Sequence, residues 1–117
     1  MKSLVNSIIL TAILFLLNGC GFHEINKESP EINEVQANSK FCIILPEDHT
    51  KGYNWQLDQS YDPSVIQQIN EVWHGNEKGI FFNLKALAMG QTTLTFVSRN
   101  YTDTADIKHF IVKIAGK

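Results

Sequence analysis

From Phe41 onward, apolar and polar residues alternate with a period of two, and this excludes most folds open to a chain of this size. Ile80, Phe82, Leu84 and Ala86 alternate with Phe81, Asn83, Lys85 and Leu87. Leu94 and Phe96 alternate with Thr93, Thr95 and Val97, and Phe110, Val112 and Ile114 with Ile111 and Lys113. Successive strand residues face opposite ways, so such segments, rich in β-branched and aromatic residues, mark strands packed on one face. Turn residues separate them at Asp62-Pro63, Gly75-Asn76, Met89-Gly90-Gln91 and residues 100–106. Residues 65–73 also fit a helical face through Val65, Ile66, Ile69 and Val72, but their β-branched content and their neighbours favour a strand. The expectation is an all-β, antiparallel sandwich of six or seven short strands with no helix needed.

The start of the chain follows a different pattern. Met1-Lys2 gives a positive end, and residues 4–17 are apolar except for Asn6, Ser7 and Thr11. That is the make-up of a secretory signal peptide, and the run is short for a bilayer span, which takes about 20 residues. Leu17-Asn18-Gly19-Cys20 resembles the bacterial lipobox, whose cysteine is lipidated and becomes the first mature residue. The expected division is a lipoprotein signal peptide at 1–19, a lipidated Cys20 with a flexible linker at 20–39, and one folded domain at 40–117. Two or three acyl chains hold such a tether where one would not. The linker carries Glu24, Glu28, Glu31, Glu34 and Pro30 and few apolar residues, too few to offset its ordering entropy. Gly21, in place of an aspartate, favours the outer membrane or the periplasmic face of the cell envelope.

With Cys20 lipidated, Cys42 is the second and last cysteine, so no internal disulfide is expected and the domain relies on its core. Cys42 lies in an apolar run, where a thiol behaves as a small buried hydrophobe. A formal charge of −2 with no basic cluster argues against nucleic acid as a partner. Histidines 23, 49, 74 and 109 share no metal-ligand spacing, and there is no nucleophile elbow or phosphate loop. Neither a metal nor a cofactor is expected, and an enzyme is unsupported.

Three polar connections stand out between the strands. The first, Asp48-His49-Thr50-Lys51-Gly52-Tyr53, precedes Trp55. Gly52 permits a tight turn, and Tyr53 and Trp55 are spaced to bury their rings on one side of a strand. The second, Gly75-Asn76-Glu77-Lys78-Gly79, places two glycines around a polar tip. The third contains Arg99-Asn100-Tyr101, residue types enriched in binding hot spots. Each alone also fits an ordinary loop.

In this order the three loops resemble those of the chagasin-type inhibitors of papain-family cysteine proteases. That family has an Asn-Pro-Thr-Thr-Gly-Tyr-x-Trp first loop, a glycine-rich second and an Arg-Pro-Trp third. This chain keeps Thr50, Gly52, Tyr53 and Trp55 in the first loop and Arg99 in the third, with Tyr101 in place of the tryptophan. The resemblance spans residues 40–117. It implies an immunoglobulin-like β-sandwich of about seven strands, monomeric, whose loops wedge reversibly and competitively into the protease cleft. It implies that Thr50 lies nearest the catalytic cysteine, and that Tyr101 packs on protease aromatics with Arg99 as its polar neighbour. His49 and Asn100 replace prolines, which removes two fixed backbone angles and leaves both loops less preordered. Lys51 adds a charge where the family has threonine. The alternative is a non-inhibitory adhesion or assembly module on the cell envelope.

Overall fold

The computed structural model describes residues 22–101 and 103–116. The signal peptide and Cys20 lie outside them. In chain order the strands are β1 (His23–Glu24), β2 (Ile32–Gln36), β3 (Lys40–Leu45), β4 (Asn54–Leu57), β5 (Ile66–Trp73), β6 (Ile80–Ala86), β7 (Gly90–Asn100) and β8 (Asp103–Ala115). A single 3-10 turn, His49–Lys51, interrupts the connection from β3 to β4. The strands form two four-stranded sheets, ordered β1-β3-β6-β5 and β2-β8-β7-β4.

The alternation read from the sequence is the alternation of burial. Ile80, Phe82, Leu84 and Ala86 face inward from β6, Leu94 and Phe96 from β7, and Phe110, Val112 and Ile114 from β8. The two sheets meet ring to ring. Phe82 and Phe96 have centroids 4.8 Å apart across the interface, and Phe96 meets Phe110 edge-on at 5.6 Å. Each such side chain taken fully out of water contributes about 1.5–3 kcal/mol. Residues 66–73 are a strand, as their β-branched content indicates. They form one edge of the first sheet, so only Ile66 at the start of β5 is buried.

Three expectations are corrected. The segment read as a flexible linker supplies two strands, β1 pairing parallel with β3 and β2 parallel with β8. The sandwich is therefore not purely antiparallel, and the described residues hold eight strands. Ile25 and Val35 join the core, and the buried Asn33 is satisfied by the backbone. Its amide donates to the carbonyls of Lys27 and Ile111, and its Oδ1 accepts the N–H of Lys27. Scattered apolar residues and a buried asparagine give no period-two signal strong enough to read. Cys42 is fully buried on β3 but is not a free thiol, contrary to the expectation of an unbonded sulfur.

Candidate functional site

The first loop, residues 46–53, runs from β3 in one sheet to β4 in the other. The second joins β5 to β6 within the first sheet, and the third joins β7 to β8 within the other. β3, β5 and β6 share the register pairs Leu45↔Ile80 and Trp73↔Ile80, so the first two loops emerge at the same end. Asn54 at the start of β4 pairs with Arg99 near the end of β7, which brings the third loop to that end as well. The crossing between sheets thus puts loop 1 in the middle, with loop 2 and loop 3 on either side.

Loop 1 is built on two carboxylates. Asp48 Oδ1 accepts the backbone N–H of Thr50 at 3.0 Å and its hydroxyl at 2.6 Å, capping the 3-10 turn. The Thr50 hydroxyl bond, then the Thr50 N–H, hold the Asp48 carboxyl below its ordinary value, with Lys51 and His49 adding smaller attractions. Gly52 ends the turn at φ 78°, in the left-handed region, and its N–H returns to the His49 carbonyl. Beneath the turn, Glu47 is 4% exposed. Its Oε1 accepts the Trp55 N–H at 2.6 Å, and its Oε2 lies 2.7 Å from His49 Nε2. A buried carboxylate is tolerated when its lone pairs are filled in this way. Trp55 is buried and donates its indole N–H to the Pro46 carbonyl at 2.8 Å. Tyr53 is only half-buried and precedes β4, so the two rings do not share one strand face as expected.

Loop 2 closes on itself through His74 N–H to the Gly79 carbonyl and Gly79 N–H to the Gly75 carbonyl, both 2.8 Å. Gly75 and Gly79 have φ of 100° and 86°. At Gly79 space matters as well as φ: a Cβ there would collide with the Leu45 carbonyl. Asn76, Glu77 and Lys78 form the exposed tip. In loop 3, a register shift between Ser98 and Arg99 precedes the tip. Arg99 is exposed, and Tyr101, at φ 52°, is 99% exposed.

The loops touch one another. His49 N–H donates to Asn76 Oδ1 at 3.0 Å, and the His49 and Trp73 rings stack with centroids 3.8 Å apart. The Trp73 indole N–H reaches the Glu47 carbonyl at 3.0 Å. On the other side, the space over Gly52 is bounded by the Asn100 side chain, 3.5 Å from where a Cβ would sit. Loop 1 therefore does not depend on a proline for order: position 49 is held by side-chain contacts instead. Glu47 and Trp73, which do this holding, are not among the site residues read from the sequence. A glutamate at the end of an apolar strand gives no sign that it will turn inward.

Nothing in this arrangement supplies a reacting group. The Thr50 hydroxyl is committed to Asp48, and the charges of Asp48, Lys51, Glu77, Lys78 and Arg99 are mixed in sign. Among the described residues, no group of three or more His, Cys, Asp or Glu is placed to hold a metal ion. What the arrangement offers is a shaped, preordered surface.

The fold is shared with solved structures of low sequence identity. The crystal structure of the cysteine protease inhibitor EhICP2 from Entamoeba histolytica superposes with a TM-score of 0.66 at 19% identity, over 80% of this chain and 94% of that one. The solution structure of amebosin superposes with a TM-score of 0.52 at 14% identity, over 82% of this chain and 98% of that one. No curated protein matches in sequence. The sequence model of the chagasin family peptidase inhibitor I42 matches residues 34–114, well over half of the chain, and this protein therefore belongs to the chagasin family of peptidase inhibitors, not to a family of enzymes.

Proposed function

We propose that this protein is a reversible, competitive inhibitor of papain-type cysteine proteases that inserts its three loops into the active-site cleft. The observation that carries this reading is the gathering of loops 1, 2 and 3 at one end of the sandwich, with loop 1 tied to loop 2 through His49. Loops ordered before binding lose less entropy on binding than flexible ones, and that is the physical advantage of presenting them on a rigid sandwich. Thr50 stands at the exposed turn of the central loop and would lie nearest the catalytic cysteine. Tyr101 would pack its ring on protease aromatics, with Arg99 beside it, and Asn76, Glu77 and Lys78 would contact the opposite wall. In this reading inhibition proceeds by occlusion: the loops block the catalytic cysteine without acting as a substrate.

Titration of the purified chain against papain and a cathepsin tests this. Stoichiometric loss of protease activity, relieved by excess substrate, supports it. No effect on several papain-type proteases overturns it in favour of a non-inhibitory adhesion or assembly module.

We also propose, from Leu17-Asn18-Gly19-Cys20, that in the exported protein the Cys20 sulfur carries lipid, in place of any bond to Cys42, and tethers the domain to the cell envelope as a monomer. Among the described residues no helix is long and apolar enough to cross a membrane. Metabolic labelling with a fatty-acid analogue should mark the parent and not Cys20→Ser. An intact mass that matches the unmodified chain would reject the tether.

A further inference from the structure

Loop 1 is joined to the end of β5, at the root of loop 2, through a closed circuit of contacts. The Glu47 carboxylate lies 2.7 Å from His49 Nε2, and the His49 ring stacks on Trp73 at 3.8 Å with planes 13° from parallel. The circuit closes where the Trp73 indole N–H donates back to the Glu47 carbonyl at 3.0 Å. The backbone N–H of His49 adds a fourth connection, to Asn76 on the tip of loop 2. Glu47 is itself anchored, because its other oxygen accepts the N–H of Trp55 at the start of β4.

By its position in the sequence His49 belongs among the residues that would touch a protease. Its geometry says otherwise. One ring face, Nε2 and the backbone N–H are all committed within the molecule. We propose that His49 is a positioning residue, which locks loop 1 to loop 2 so that the two enter a protease cleft as one rigid body while loop 3 is carried separately by the β7–β8 hairpin. The proposal rests on the inhibitory reading above. Its side chain keeps 41% of its surface, so direct contact with a partner is not sterically barred, and the two roles must be separated by experiment.

Two readouts on the full chain in detergent micelles do so. Amide hydrogen exchange at His74 and Gly79 and at the Trp73 indole N–H reports the lock without any protease. The inhibition constant against papain, resolved into association and dissociation rates, reports its use. His49→Ala is expected to speed exchange at all three sites by about tenfold, the worth of a lost hydrogen bond and stack, with exchange at Leu94 and Phe110 unchanged. Inhibition should weaken by a similar factor. Asn76→Ala, on the exposed tip and without risk to the core, should loosen the same loop 2 sites. His49→Phe retains the ring stack and should recover part of the slow exchange at Trp73.

Weaker inhibition by His49→Ala with loop 2 exchange unchanged makes His49 a contact residue and overturns the proposal. Faster exchange with inhibition unchanged overturns it too, because the lock then does nothing for binding. A parent chain that inhibits no papain-type protease removes the inhibitory reading and this role with it, while the exchange rates still decide whether the lock exists.

Discussion

Glu47 Oε1 accepts the backbone N–H of Trp55 at 2.6 Å, so a carboxylate that is 4% exposed holds the first turn of β4 against the loop that leads into it. Hydrogen bonds to charged groups contribute more than neutral ones, and leaving a buried donor unpaired carries a further penalty. Glu47→Ala strands the Trp55 N–H and frees His49. Chemical denaturation should show a loss of about 2–4 kcal/mol with an unchanged slope against denaturant. A loss below about 0.5 kcal/mol would mean that water replaces the carboxylate freely.

Trp55→Ala tests the other half of that pair. The ring is buried and its indole N–H is bound to the Pro46 carbonyl. Removing it leaves a large cavity and should destabilise the fold by about 3–5 kcal/mol.

Gly75 and Gly79 both sit at positive φ, yet they should respond differently to alanine. Nothing lies within 4 Å of a Cβ added at Gly75, so Gly75→Ala should lose only the left-handed strain, about 1–2 kcal/mol. At Gly79 the added methyl meets the Leu45 carbonyl, part of the β3–β6 ladder, which cannot yield without breaking the pairing. Gly79→Ala should therefore lower the melting temperature much further than Gly75→Ala. Equal shifts would show that the end of β3 is free to move.

Thr50→Arg and Tyr101→Ala separate binding from stability. Tyr101 is 99% exposed, and its removal should leave the melting temperature nearly unchanged while weakening inhibition of papain. Arginine at position 50 keeps the backbone N–H that Asp48 caps but places a long side chain where a cleft would close over loop 1. A Thr50→Arg variant as inhibitory as the parent would remove the proposed contact with the catalytic cysteine.

Asp48 sets a dependence on acid. Its folded carboxyl is held below the ordinary value of 3.8, first by the Thr50 hydroxyl and then by the Thr50 N–H. A group depressed in the folded state stabilises above its unfolded pKa, and that contribution is lost as pH falls through the folded value. The stability gap between the parent and Asp48→Ala should therefore be constant from neutral pH down to the ordinary carboxylate range and close below it. Asp62, depressed in the same way by Ser64 but at the far end of the sandwich, is the internal control. Its alanine variant should follow the same acid profile without changing inhibition. A gap that shows no decline as the pH falls below the ordinary carboxylate range would show that the side chain acts other than as a carboxylate.

The strand phases of β6, β7 and β8 were legible because each buries one face, and a half-buried strand writes its orientation as alternation. The loop glycines were legible for a similar reason, since positive φ selects glycine locally. The roles of Glu47 and Trp73 were not, because they depend on contacts between residues 47, 49, 55 and 73, which no local pattern encodes. β1 and β2 were missed because their pairing partners, β3 and β8, lie far along the chain, and Asn33 is satisfied only by the backbone of Ile111 and Lys27.

By itself, then, the sequence determined a β-sandwich and which residues of β6, β7 and β8 line its core, because burial on a pleated strand is a local, periodic constraint. Only the tertiary structure decided that three loops meet at one end and that His49 turns inward to join two of them. Those facts follow from a crossover between sheets and from a buried carboxylate, and both arise from distant parts of the chain brought together.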